Sequence, residues 1–113
     1  MNDLSTANAL RLIQAAERFK ARLAREFAAV HGLSVNEFLL LAHLDNAPAR
    51  QLPRVELAKR MHVSASTVTR MTAPMEKVGF VARETAGRDA RYACVGRTNA
   101  GRTRLTEAGA TFA

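Results

Sequence analysis

At 113 residues, of which 48% are hydrophobic, the chain has the size of one domain with a modest core, and its length requires no second domain. No apolar run is long enough to span a bilayer, MNDLSTANAL is neither a basic leader nor a signal core, and one cysteine with three scattered histidines makes neither an internal disulfide nor a zinc site. The net charge of +7 is segregated: residues 1–49 carry five basic and five acidic groups, residues 50–91 nine and four, and residues 92–113 three and one.

A soluble, cytoplasmic protein without metal or cofactor is therefore expected. The basic excess is either the electrostatic footprint of a nucleic-acid binder or a solvated charged face. Asp3 to His31 reads as one long helix, with Ala9, Leu12, Ala16, Phe19, Leu23 and Val30 near a heptad seam that Glu26 interrupts and Phe27 repairs. Gly32 is expected to stop it. The seam can pack on its own domain or on a second copy, and a shared role is expected. Ser34-Val35-Asn36-Glu37 is a capping box flanked by Leu33 and Phe38 as a hydrophobic staple, so a second helix begins here. Phe38 to Leu44 is apolar nearly all round, which predicts a buried central helix with His43 in the core or at a pocket edge. Asp45-Asn46-Ala47-Pro48 ends that helix, and Gln51-Leu52 reads as a very short strand before a third helix, Val55 to Met61.

The stretch VSASTVTRMTAPMEKVG, residues 63–79, predicts a helix exposed on one side. Val68, Met71, Met75 and Val78 recur as one stripe at helical spacing, while Ser66, Thr69, Arg70, Ala73 and Lys77 fall roughly opposite. Ser64 can cap the first turn, with Val63 and Val68 as a staple. Pro74 withholds an amide from the Arg70 carbonyl, a cost of about 3 kcal/mol in an ordinary helix, so a bend near Ala73 is expected. Taken alone, the stretch also fits a surface helix whose hydroxyls are simply solvated. Leu57 to Ser64, however, places a short helix and a tight turn before it, the order of a helix-turn-helix, with Ala58 and Val68 where the two helices would cross. His62 is then a turn residue in the left-handed region rather than a ligand.

After Gly79 the period changes. Phe80 to Thr85 and Tyr92 to Val95 read as two short strands joined by Ala86-Gly87-Arg88-Asp89-Ala90-Arg91. A β-hairpin directly after such a helix is the wing of a winged helix. Arg88 and Arg91 fall at its tip and base, as solvated charges or as groups suited to a narrow minor groove. Cys94 alternates with Tyr92 and is expected as a small packed hydrophobe.

Val55 to Arg91 resembles the winged helix-turn-helix of the MarR family of bacterial transcriptional regulators. Glu56-Leu57-Ala58, the Ser-x-Ser-Thr-Val-Thr-Arg run of Ser64 to Arg70, Gly79-Phe80-Val81 and Asp89-Ala90-Arg91 carry the resemblance, which with the N-terminal helices covers most of the chain. Three departures stand out: Pro53 replaces a Ser or Thr cap, Pro74 interrupts the recognition helix, and the family's Leu-Thr-x-x-Gly has two candidates. Leu105-Thr106-Glu107-Ala108-Gly109 is the literal match, but Arg97-Thr98-Asn99-Ala100-Gly101 has the right spacing from Asp89 and is preferred. Thr98 then caps a last helix that holds Leu105, Ala108 and Phe112. The further helix that completes the family's dimer interface is expected to be missing.

The expected fold is mainly α (α+β), a single domain with N-terminal helices over 1–47, a winged helix-turn-helix over 50–97 and a short C-terminal helix over 98–113. The resemblance implies a sequence-specific transcriptional regulator that binds double-stranded DNA as a homodimer, with its recognition helix in the major groove. Ser64, Ser66, Thr67, Thr69, Arg70 and Lys77 are candidate contacts, Arg70 being best placed to read guanine. Arg88 and Arg91 would serve the minor groove or its phosphates. By resemblance, Asp89 orients a wing arginine. Family members often bind a small aromatic ligand near the dimer interface, although no residue here carries that over. The rival reading is a winged-helix adaptor that binds protein. An enzyme is remote: there is no nucleophile with a paired base, no carboxylate pair and no glycine-rich phosphate loop.

Overall fold

The computed structural model describes residues 3–85 and 93–112, and the chain packs as two units, residues 1–35 and 36–113. In the first unit, helix α1 (Asp3–Glu26) continues into a wider π-helical turn, Phe27–His31. The N–H of Gly32 closes that turn on the Phe27 carbonyl, which also accepts from Leu33 at 3.3 Å. Gly32 has φ 59°, the left-handed conformation that glycine adopts without a Cβ penalty, so the helix stops where expected. Of the predicted seam only Leu23 and the repairing Phe27 are buried; Leu12 is 73% and Phe19 51% exposed, so the seam is not closed along its N-terminal part within the chain.

Helix α2 (Val35–Asp45) begins directly after Ser34. Leu40, Leu41 and Leu44 are fully buried, but Leu39 is 41% exposed, so α2 is not buried all round as its composition suggested. Burying leucines of this kind contributes about 1.5–3 kcal/mol each, and three on one face suffice to anchor a helix of this length. His43 is half-buried, at a pocket edge rather than in the core. Asn46 ends the helix, its side-chain amide donating to the Ala42 carbonyl at 3.0 Å.

Strand β1 (Gln51–Pro53) follows a short 3₁₀ turn, Pro48–Arg50, and leads into helix α3 (Arg54–Met61), one residue earlier than predicted. His62 then takes φ 59° and ψ 41°, and its N–H closes on α3 carbonyls, which makes it the left-handed turn residue. Helix α4 (Ala65–Lys77) comes next, running through Pro74 without a break in its span. Leu57 and Ala58 of α3 and Val68 and Met75 of α4 are buried. The predicted stripe needs one correction. Val78 is 63% exposed, and Thr72 is buried instead, with its hydroxyl satisfied by donating to the Thr69 carbonyl at 3.2 Å.

Strands β2 (Val81–Thr85) and β3 (Ala93–Arg97) pair antiparallel, with Val81 opposite Arg97 and Thr85 opposite Ala93. Strand β1 pairs antiparallel with the other edge of β3, Leu52 opposite Val95, so the sheet order is β1-β3-β2. In this central strand Cys94, Val95 and Gly96 are buried in succession, Gly96 beneath the Gln51 and Glu84 side chains of the two flanking strands, and β3 runs on to Arg97, two residues past the predicted end. Pro53, which has no N–H for the ladder, sits on an edge strand. Arg97 is 12% exposed and its Nε donates to Asp45 Oδ1 at 2.7 Å, tying the end of β3 to the end of α2.

Helix α5 (Asn99–Gly109) is capped by Thr98, whose Oγ1 accepts from the Gly101 N–H at 3.0 Å and donates to the Gly79 carbonyl. The family spacing, not the literal motif, therefore marks its start. Ala108 is buried and Leu105 half-buried, but Phe112 lies outside α5 in a 3₁₀ turn, Ala110–Phe112, where its ring meets Phe38 at 5.7 Å. Among the described residues, no single helix is long and apolar enough to cross a membrane.

Candidate nucleic-acid interface

The start of α4 gathers hydroxyls and one guanidinium on an exposed surface. Ser64 has extended backbone, and its Oγ accepts from the Thr67 N–H at 3.1 Å, satisfying one of the free amides of the first turn. The same oxygen lies 3.0 Å from Ser66 Oγ and 2.8 Å from Thr67 Oγ1. Ser64 has one hydroxyl proton and, after capping, one lone pair left, so it donates to one of these hydroxyls and accepts from the other. Arg70 Nη2 then donates to Thr67 Oγ1 at 3.3 Å. Ser64, Ser66, Thr67 and Arg70 are thus brought into one connected group, in which Ser64, Ser66 and Arg70 are exposed and Thr67 is half-buried. Each hydroxyl can turn its proton either way, and the guanidinium keeps donors to spare, so the group can present both donors and acceptors to a ligand.

The remaining predicted residues fall elsewhere. Thr69 is half-buried, with its hydroxyl donating to the Ala65 carbonyl at 3.1 Å and accepting from Arg54 Nη1 at 3.0 Å. Lys77 is exposed in the last turn of α4, ~10 Å along the helix axis from Arg70. Arg88, Asp89 and Arg91 lie outside the described residues, as does Tyr92. Arg54 is the residue that sequence reasoning missed. Its only local signal is a cation at the positive end of a helix, behind a Pro53 N-cap that offers no side-chain acceptor.

Behind the start of α4, a cavity of about 220 Å³ is lined by residues including Leu39, His43, Met61, His62, Thr67 and Met71. It joins α2, the turn and α4, so Thr67 belongs both to the exposed hydroxyl group and to a cavity wall.

A helix-turn-helix with a capped, basic second helix, followed by an antiparallel strand pair that closes a small sheet with a strand preceding the motif, is a winged helix-turn-helix. The MarR family model matches residues 33–92, more than half of the chain. The HTH-type transcriptional repressor YetL of Bacillus subtilis is 33% identical over 81 residues, covering 72% of this chain and 48% of that protein. The MarR family regulator Sco3205 of Streptomyces coelicolor, solved in complex with DNA, superposes with a TM-score of 0.83 at 27% identity, over 94% of this chain and 67% of that one. A mutant MarR from E. coli complexed with operator DNA superposes with a TM-score of 0.76 at 26% identity, over 96% and 76%. The chain belongs to the MarR family. It spans about half the length, 48%, of the curated relative it matches.

Proposed function

We propose that this chain is a sequence-specific transcriptional regulator that binds double-stranded DNA as a two-fold dimer, with the start of α4 in the major groove and the wing at the minor groove. The connected group of exposed Ser64, Ser66 and Arg70 with half-buried Thr67 at a capped helix start carries this reading. Solved relatives in complexes with DNA, and the basic excess of residues 50–91, support it. Ser64, Ser66, Thr67 and Lys77 supply phosphate or base contacts, Arg70 reads a base edge, and Arg88 and Arg91 serve the minor groove with Asp89 orienting one of them. The Thr69 hydroxyl is assigned no base contact, because its proton is committed to Ala65 and its oxygen accepts from Arg54.

Selection from random duplex DNA tests the reading. It should return a pseudo-palindrome with half-sites about one helical turn, ~10 base pairs, apart. Failure to enrich any sequence would leave the adaptor as the better account. Against the selected site, Arg88→Ala should weaken all sequences alike and reduce the slope of log affinity against log salt by about one per lost phosphate contact, about two in a dimer. The preferred site itself should stay the same.

The dimer is supported by α1, where Leu4, Leu10, Leu12, Ile13 and Phe19 are all more than half exposed within a single chain. Leu12→Asp removes no buried contact, so the fold should persist. Sedimentation at micromolar concentration should give a dimer for the parent chain and a shift toward monomer for the variant. A monomeric parent chain would remove the proposal.

A further inference from the structure

The geometry points to Arg54 as a positioning residue for sequence recognition: it holds the Thr69 hydroxyl, and through it the seating of α4, without touching DNA itself. This rests on the DNA-binding reading above. The position is electrostatically costly. Arg54 is the first residue of α3, where the helix dipole disfavours a cation, and Pro53 before it carries no side-chain acceptor. The side chain is half-buried, and its Nε is buried with no hydrogen-bond partner among the described residues. The Nε gives up hydration there with no acceptor among the described residues to replace it.

What it gains is one directed bond across the motif. Nη1 reaches Thr69 Oγ1 at 3.0 Å, fifteen residues away and one residue before Arg70. The Thr69 proton goes to the Ala65 carbonyl at 3.1 Å, so this oxygen meets Arg54 as an acceptor, and the Thr69 carbonyl in turn accepts from Thr72 at 3.2 Å. Arg54 is thereby fastened to the turn of α4 that also carries Arg70. Arg54, Thr69 and Thr72 line a cavity of about 20 Å³ with Val81, Ala82 and Cys94. That space has room for about one water, and the cluster, with Glu76 also on its wall, is a joint between α3, α4 and the β2-β3 pair. The alternative, an arginine that grips a phosphate, differs in its salt dependence.

The test uses the full chain and an operator selected from random duplex DNA. Arg54→Met and Thr69→Val should each weaken operator binding about tenfold, and the double variant should be no weaker than the worse single, as for two partners of one contact. Binding to an unrelated duplex should change by less than about twofold with the salt slope intact, because no phosphate contact is lost. Thr69→Ser, which keeps the hydroxyl, should retain the parent preference. Circular dichroism melts establish that each variant is folded; if Arg54→Met is not, the contrast of Thr69→Val with Thr69→Ser decides. Additive losses, an unaffected operator affinity, or an equal loss on all sequences with a slope shallower by about one overturns the inference while leaving the DNA-binding reading intact. A parent chain that selects no operator overturns that reading, and the inference with it.

Discussion

Arg70→Ala should cost about 1 to 3 kcal/mol of affinity for the selected operator and relax the preference at one base pair of each half-site, the loss expected for a bidentate guanine contact. Arg70 is exposed, one residue beyond Thr69 and within two turns of the Ser64 cap. Its one described bond within the protein is the 3.3 Å contact to Thr67 Oγ1, which is long for a charge-assisted hydrogen bond and easily given up to a better acceptor. Because the side chain is exposed, its removal should leave the melting temperature nearly unchanged. Repeating the operator selection with the variant checks this. A selected site as sharp as that of the parent would mean that Arg70 reads no base.

Gly101→Ala should destabilise the fold by about 2 to 3 kcal/mol, in the upper part of the range for overpacking. Two effects of opposite sign meet at this position. An alanine within a helix is favoured over glycine by about 0.5–1 kcal/mol. Against that, a Cβ at Gly101 would stand 2.2 Å from the Phe80 carbonyl oxygen, 3.1 Å from its carbon and 3.2 Å from Leu41 Cδ2. The nearest of these is backbone, and that oxygen also accepts from the Thr98 N–H at 3.1 Å, so it cannot move without loosening the cap of α5. The clash therefore outweighs the helix gain. Gly109→Ala is the control: nothing lies within 4 Å of its Cβ position, and stability should hold or rise slightly. Urea unfolding of both variants checks the pair, through a lower midpoint at unchanged slope for Gly101→Ala alone. Equal midpoints would show that the approach of α5 to Phe80 is looser than the structure has it.

The features legible in the sequence are those a few neighbouring residues decide. Ser64 and Thr98 cap α4 and α5 because a side-chain oxygen reaches an amide three residues on, and Gly32 and His62 end helices because their own backbones tolerate positive φ. Spacing also decides between the two Leu-Thr-x-x-Gly candidates in favour of the Thr98 cap, since a short strand can only span so many residues.

What the partner surfaces decide was not legible. Periodicity finds a stripe on α4 but not where the covering elements end, so Val78 is left exposed while Thr72, its hydroxyl satisfied by its own helix, takes a buried place. The apolar run of α2 hides the exposure of Leu39 for the same reason. Phe112, at helical spacing from Leu105 and Ala108, belongs to a 3₁₀ turn where it meets Phe38. The Asp45–Arg97 ion pair joins residues 52 apart, and Arg54 reaches Thr69 across the helix-turn-helix. Composition and spacing can nominate the hydroxyls and arginines of the candidate interface. Only folding decides that Ser64, Ser66 and Arg70 are exposed and joined through the half-buried Thr67 while the hydroxyl of Thr69 is bonded to Arg54 and Ala65, because a hydrogen bond forms where tertiary packing leaves its partner within reach.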